Sequence, residues 1–269
     1  MARTIVVRDM TEEDMPFVGT CAHLGESQEI DSSSRRRLAW LRWAEGKGAR
    51  VKVALVDGTH SGFLHVMPVE ICPCGPAGLG AMFIPCLEVL SGSRREGIGR
   101  ALVAAAVREA IAQEADGIAT VAYLHDGWFM PARFFEACGF SICERRGTTA
   151  LMWRPLVPDA VPPRLVETYH EHRVRPGKVL VQLYWNRFCQ TSDIEAQRVR
   201  EVAAEFGGDV LLEEHCSEDM AAHCGLTIYR AVFVNGREVG WGHEAPKAGL
   251  RMAISEALAE ANARDGTSG

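Results

Sequence analysis

The sequence predicts a mixed α/β (α+β) fold in two domains, and three observations support this prediction. At 269 residues the chain exceeds the ~100–200 residues of an ordinary domain. Stretches with strand periodicity alternate with stretches of helical periodicity in both halves. Between the halves, prolines at 155, 158, 162 and 163 interrupt regular structure, because proline fixes φ and removes a backbone donor. We expect a first domain at 1–154, a linker at 155–176, a second domain at 177–263 and a flexible tail at 264–269.

The first half is predicted to open with a strand over residues 4–8, followed by a helix. Thr11 and Asp14 have the spacing of a capping box, in which each residue's side chain bonds the other's backbone. A second helix is expected over 33–45, with Leu38, Trp40 and Leu41 on its buried side and Arg35, Arg36, Arg37 and Arg42 on its solvated side. Asp57-Gly58 then predicts the tight turn of a β-hairpin.

A strand, a glycine-containing turn and a helix follow. Met82 to Leu90 is an apolar run typical of a buried strand, and the loop before it, over 71–76, is rich in turn formers. Apolar residues at helical spacing after position 100 predict an amphipathic helix. The next strand is expected from Ile118 to Leu124.

The second half starts with the apolar run Val179 to Trp185, which is typical of a strand buried on both faces. A helix over 194–206, a strand over 210–213, a hairpin at Asn235-Gly236 and a last helix through Leu258 complete it. This order predicts a βαβ unit followed by ββα.

Composition restricts the function classes. The chain is 47% hydrophobic and 24% charged, as in ordinary globular proteins, and its net charge of −6 does not favour binding to nucleic acid or an anionic membrane. Without an export signal or a long apolar run, we expect a cytoplasmic protein. The nine cysteines are then expected to be reduced thiols.

The segment Arg94-Arg95-Glu96-Gly97-Ile98-Gly99 is the most informative motif. Glycine lets the backbone approach a ligand closely, and the start of a helix presents unpaired N–H groups with a positive dipole end. A turn of this kind between a strand and a helix predicts an anion site suited to a diphosphate.

This motif resembles the Arg/Gln-x-x-Gly-x-Gly/Ala signature of GNAT acetyltransferases, with Arg94, Gly97 and Gly99 at the defining positions. A second stretch, Arg133 to Phe140, resembles the family's helix ending in Gly-Phe. The resemblance covers residues 1–154 and implies acetyl-CoA as cosubstrate, with its pyrophosphate on the loop and its pantetheine amides between diverging fourth and fifth strands. The positions implied to bind it are Leu87, Val89, Arg94, Arg95, Glu96, Gly97, Ile98, Gly99, Arg100, Phe134 and Phe135.

Catalytic residues are less clearly indicated. Many GNAT enzymes have a tyrosine four residues before the glycine of Gly-Phe, as the acid for the departing thiolate, and here Phe135 stands there. Glu88 is the candidate general base, since burial in an apolar strand would raise its pKa, or else it pairs with a nearby arginine. Tyr123, His125 and Asp126 are second candidates for proton transfer. We expect no metal, because Cys72, Cys74 and Cys86 lack a fourth ligand.

The second domain resembles a thioredoxin-like fold. Cys189-Gln-Thr-Ser192 stands where that family places Cys-x-x-Cys, before a helix whose positive end would favour a Cys189 thiolate, with Ser192 a possible hydrogen-bond donor. Tyr229-Arg230 replaces the family's cis-proline. Cys224 could fold back toward Cys189 and form a redox pair or a thiol-recognition site, or else the domain is structural and its cysteine inert. The whole arrangement is similar to the YoaP-type acetyltransferases of bacteria.

These resemblances imply an N-acetyltransferase that transfers an acetyl group from acetyl-CoA to an amine, or less readily a thiol, of an unidentified acceptor. Cys189 is a further catalytic candidate. Two alternatives stay open. The first is an acyl-CoA sensor without catalytic activity, which the replacement of the tyrosine acid by Phe135 allows. The second is a thiol-redox protein that acts through Cys189. The sequence does not specify the oligomeric state.

Overall fold

The computed structural model describes residues 3–125, 129–167, 170, 172–175, 177–220, 228–240 and 245–265. The chain divides into two compact units, Met1–Val166 and Glu167–Gly269. The first contains a mixed seven-stranded sheet flanked by helices, and the second a four-stranded sheet. The predicted fold class, a mixed α/β sheet with a second smaller one, is confirmed.

The first unit is built on a sheet whose strands follow the order β1-β2-β3-β4-β5-β7-β6. Among the described strands of this sheet, β4 and β5 are the only neighbours that run parallel. The strands are β1 (Ile5–Asp9), β2 (Arg50–Val56), β3 (Thr59–Pro68), β4 (Ala81–Val89), β5 (Gly117–Tyr123), β6 (Ser141–Arg146) and β7 (Thr149–Pro155).

Helices cover both faces of this sheet. They are α1 (Met15–Gly19), α2 (Gln28–Glu45), α3 (Ile98–Ala112) and α4 (Ala132–Glu136). Side chains alternate between the faces of a strand, so Leu64 and Val66 of β3 pack into one core with α3. Phe63 and His65 point to the other face, where Phe17 of α1 meets Phe63 edge-on at 5.6 Å.

The start of the chain confirms the predicted capping box. Thr11 and Asp14 bond each other's backbone and side chain at the head of a short 3-10 turn that leads into α1. Asp14 is fully buried and also accepts hydrogen bonds from Arg8 and from His60, the latter at 2.8 Å. This carboxylate therefore ties β1, β3 and the first helical turn together.

The solvated-side interpretation is wrong for Arg37. Its side chain is 1% exposed, and its guanidinium donates to Val18 O at 3.1 Å and approaches His65 Nε2 at 2.9 Å. Arg37 lies three residues before Trp40 and four before Leu41, which places it on their buried face of α2. The helical spacing therefore indicated a buried position for Arg37. The sequence prediction placed it in solvent because its side chain is charged.

Residues 156–166 fall within the first unit, although the sequence places a linker there. Ala77 and Arg164 exchange two backbone hydrogen bonds of 2.8 Å, and the Arg146 guanidinium donates to Leu165 O and Val166 O. These bonds attach the proline-rich segment to the loop between β3 and β4 and to the end of β6.

The second unit has strand order β11-β10-β8-β9, in which β8 and β9 run parallel and β10 is antiparallel to β8. Apolar side chains of β8 form one core with α5 and α7. The elements are β8 (Val179–Trp185), α5 (Gln190–Glu205), β9 (Val210–Cys216), α6 (Ser217–Met220), β10 (Ala231–Val234), β11 (Arg237–Glu238) and α7 (Lys247–Asp265).

Candidate active site

The parallel strands β4 and β5 separate halfway along their length. Their ladder runs from Ala81 paired with Gly117 to Ile84 paired with Thr120, and no further pair follows within these two described strands. Yet β4 continues to Val89 and β5 to Tyr123. One backbone edge of Pro85–Val89 therefore faces a gap, and buried peptide groups there need partners from elsewhere.

A bulge in β4 coincides with this separation. His65 pairs with Cys86 and Met67 with Phe83, so β4 carries one residue more than β3 between these pairs. The extra length includes Pro85, which has no N–H to donate. On the β5 side, the buried Thr120 hydroxyl donates to Ile84 O at 2.8 Å and closes the last paired position.

Thr120→Val is expected to lower the free energy of unfolding by about 1–3 kcal/mol, because it removes the hydroxyl that satisfies a buried carbonyl while keeping the side chain's shape. Denaturant unfolding measures this loss. Thr120→Ser, which keeps the hydroxyl and removes the methyl group, is the control. Equal stability of Thr120→Val and the wild type would show that the bond to Ile84 contributes nothing.

The turn after β4 leads directly into α3. Arg95 and Gly97 have positive φ angles of 68° and 88°, and Gly97 is the N-cap of the helix. Ala101 N makes the helix's first internal bond, to Gly97 O at 3.0 Å. The N–H groups of residues 98–100 precede it and point out of the helix end. A Cβ at Gly97 would meet no atom within 4 Å, so this end of the helix is open.

The remaining predicted binding residues lie close to this turn or beneath it. Phe134 packs over Gly99, where an added Cβ would come within 3.1 Å of the ring. Leu87 and Val89 pack against the α3 core, so their backbone and not their side chains face the gap. Phe135 is fully buried and meets Phe134 and Phe140 edge-on. Its ring thus supports Phe134 from the core.

Glu88 lies on the sheet face opposite α3, because it pairs with Phe63 across β3 and β4. Its Oε1 is 3.6 Å from Arg94 Nη2, and Arg94 Nε also donates to Val89 O at 3.2 Å. Burial raises the pKa of the Glu88 carboxyl, and the positive charge of Arg94 opposes part of that rise. Glu88 is thus paired with an arginine and its pKa is raised, and its role as a general base stays a prediction.

Arg37 and His65 lie on the same sheet face as Glu88, and the sequence did not single out either of them as a candidate site residue. His65 lies opposite Cys86 at the bulge, and burial, with the nearby Arg37 charge, holds the pKa of His65 well below its ordinary value. A neutral His65 can accept the Arg37 hydrogen bond at Nε2. The Arg37 guanidinium also contacts Cys21 Sγ. The face therefore contains a buried cation beside a neutral imidazole.

The second candidates for proton transfer are only partly described. Tyr123 ends β5, and its ring lies 5.8 Å from that of His125. Burial raises the pKa of the Tyr123 hydroxyl, and negative charge at Cys74 adds to the rise. Asp126 lies outside the described residues. Tyr123 is thus held as a neutral phenol at the end of β5.

In the second unit, Cys189 immediately precedes α5, and its N–H donates to Asn186 Oδ1 at 2.8 Å. The hydroxyl beside its thiol belongs to Thr191, at 3.1 Å, because Ser192 turns back to accept from Asn186 N. Arg230 donates to Thr191 Oγ1 at 3.2 Å and to Glu195 Oε2 at 2.8 Å. Cys224 lies outside the described residues.

Within the described ranges, no three His, Cys, Asp or Glu side chains cluster as metal ligands. Over the same residues, no helix has both the length and the apolar character that crossing a membrane requires.

No protein-family model and no curated protein sequence matches the chain. Among solved structures, it is similar to the GNAT-family N-acetyltransferase YhbS of Escherichia coli in complex with CoA, at 24% identity and a TM-score of 0.44, over 64% of this chain and 93% of that one. A GNAT-family acetyltransferase of Brucella melitensis with acetyl-CoA is similar at 20% identity and a TM-score of 0.41, over 62% and 96%. The ribosomal-protein-alanine N-acetyltransferase of Brucella melitensis follows at 19% identity and 0.43, over 56% and 99%. At these identities and TM-scores, the likeness establishes no activity for this chain.

Proposed function

We propose that this protein is an acyl-CoA N-acyltransferase of the GNAT type, which transfers an acetyl group from acetyl-CoA to an amine. The gap between β4 and β5, continuous with the open turn at Gly97, carries this proposal. It combines unpaired strand edges that suit an amide-containing chain with a helix start that suits a diphosphate.

The residues around the turn fit that cosubstrate. Arg94, Arg95 and Arg100 are exposed on the turn and the first helical residues, so their charges can meet an anion that the helix N–H groups bind. The Phe134 ring packs against Gly99 on the side where a Cβ would lie, so the backbone of Gly99 is what a ligand at the turn would contact. These features support a pyrophosphate on residues 94–100.

Acetyl-CoA would supply the activated thioester, and the chain's own residues would position and deprotonate the acceptor. Glu88, with its raised pKa, is suited to take a proton from an ammonium group on the sheet face opposite α3. Phe135 cannot donate a proton, but a thiolate is a tolerable leaving group near neutral pH. Most of the rate would then come from positioning.

Gly97→Ala is expected to weaken acetyl-CoA binding about tenfold, because an alanine at φ 88° strains the turn by roughly 1–2 kcal/mol. Titration calorimetry with acetyl-CoA measures the affinity, and release of free CoA from a panel of amines and thiols measures turnover. Gly207→Ala is the matched control, since Gly207 also has positive φ and open surroundings but lies in the second unit.

Three outcomes would count against the transferase. If acetyl-CoA does not bind, or if Gly97→Ala and Gly207→Ala weaken binding equally, the turn is not its site. Tight binding without CoA release from any acceptor would instead favour a sensor of acyl-CoA.

A second candidate function rests on Cys189. The strand order of the second unit and the position of Cys189 before α5 support a thioredoxin-like domain of the YoaP type at 177–263. The Thr191 hydroxyl and the Arg230 charge beside the thiol favour a role in thiol recognition or redox chemistry. Rapid alkylation of Cys189 by iodoacetamide at neutral pH, absent in Cys189→Ser, would support this role, whereas slow alkylation would contradict it.

A further inference from the structure

Two thiols lie in contact in the loop between β3 and β4. Cys72 Sγ and Cys74 Sγ are 3.8 Å apart, and either can donate a hydrogen bond to the other. Cys72 is buried, whereas Cys74 is partly exposed. Neither cysteine is in a disulfide, so the loop carries a dithiol with one member partly exposed to solvent.

The local backbone holds the two sulfur atoms together. Gly75 N donates to Cys72 O at 3.3 Å, which closes a four-residue turn with Pro73 at its second position. A Cβ at Gly75 would lie 3.0 Å from Cys72 Cβ, so glycine leaves room for the Cys72 side chain. Cα atoms two positions apart in such a turn fall in the roughly 4.4–6.8 Å range that disulfides span. The turn is therefore preset for a bond between these residues.

The ends of the loop are fixed independently of the sulfur atoms. Gly80 N donates to Glu70 Oε1 at 2.8 Å, and Ala77 is bonded to Arg164 through two backbone hydrogen bonds. Closing the Sγ–Sγ distance from 3.8 Å to ~2.05 Å is then a local movement of the turn alone. No strand of the sheet has to shift.

The dithiol also lies close to the end of β5. Burial raises the pKa of Tyr123, and a Cys74 thiolate adds to that rise, so Cys74 lies within electrostatic reach of the phenol. Tyr123 ends the strand that borders the β4–β5 gap. A change in the charge of Cys74 therefore changes the pKa of Tyr123, at the edge of the candidate site.

We propose that Cys72 and Cys74 are a reversible dithiol–disulfide pair that hydroperoxides oxidise. The partly exposed Cys74 thiolate attacks a peroxide oxygen and breaks the O–O bond. The products are a sulfenic acid and hydroxide or, from an organic peroxide, an alkoxide that takes up a proton from water to become an alcohol. The Cys72 thiol then attacks the Cys74 sulfur, forming the S–S bond and releasing water. A dithiol reductant returns both protons and both electrons to the pair.

Limited hydrogen peroxide on the full-length, fully reduced protein tests this pair, with intact mass and peptide mapping as readouts. The wild type should lose two hydrogen atoms, recover them with dithiothreitol, and yield a peptide cross-linked between Cys72 and Cys74. Cys143→Ser, which removes an exposed thiol, should behave like the wild type. Cys72→Ser and Cys72→Ala should instead gain oxygen at Cys74, because the resolving thiol is gone.

Separate substitutions of Cys72 and Cys74 keep the test informative if one of the variants misfolds. Cys74→Ser alters a partly exposed position and should leave the fold intact while abolishing the mapped cross-link. Loss of two hydrogen atoms that persists in Cys72→Ala and Cys74→Ser, or a cross-link mapped to other cysteines, would overturn the proposal. Oxygen gain at Cys74 in the wild type without any cross-link would overturn it as well.

Discussion

Glu88→Gln is expected to lower turnover of acetyl-CoA by about 10²–10⁴-fold at saturating cosubstrate, the range that a general base contributes. Glutamine keeps the shape of the side chain but cannot accept a proton from an ammonium group. Burial raises the pKa of Glu88, so this carboxylate is a stronger base than an exposed one. Free-CoA release with an accepting amine is the measurement.

Glu214→Gln is the matched control for this substitution. Glu214 is also a strand glutamate paired with an arginine, Arg200, at 2.9 Å, but it lies in the second unit. The control should keep the wild-type turnover, and both variants should keep the affinity for acetyl-CoA. Unchanged turnover in Glu88→Gln would remove the base assignment. An equal loss of affinity and turnover would show that Glu88 only supports the turn through Arg94.

Asp14→Ala is expected to lower the free energy of unfolding by about 2–4 kcal/mol at neutral pH, since it removes a buried, multiply bonded carboxylate. Burial by itself would raise the pKa of Asp14, but hydrogen bonds from Arg8, Thr11 and His60 lower it well below its ordinary value. This stabilisation is complete above the pKa of an unfolded aspartate, ~3.9, and is lost as pH falls through the lower folded-state pKa. The difference between variant and wild type should therefore shrink in acid.

Urea unfolding at several pH values measures this effect. Asp9→Ala is the control, because Asp9 is an exposed aspartate at the end of β1 and its partner Lys52 also contacts Glu109. The control should cost less than about 1 kcal/mol, as exposed pairs usually do. A pH-independent loss in Asp14→Ala would contradict the electrostatic explanation.

Much of the fold could be predicted from local sequence. The Thr11–Asp14 capping box, the Asp57-Gly58 hairpin and the strand from Val179 to Trp185 all occur as predicted. Helix starts were less accurate: α2 begins at Gln28 and α5 at Gln190, each earlier than expected. The first turn of each helix is polar, so hydrophobic periodicity does not show where it begins.

The sequence by itself determined the succession of strands and helices along the chain and the turn at Gly97. Turn-forming residues and the alternation of apolar side chains act between residues that are close in the chain, so local sequence is enough to reveal them. Only the tertiary structure decided where β4 leaves β5, that Arg37 meets His65, and that Thr191 and not Ser192 lies beside the Cys189 thiol. Each of these depends on packing between elements or on the rotation of a side chain in a crowded helix start. Local patterns identify which residues share a face, but contacts among distant segments arise only when the faces pack together.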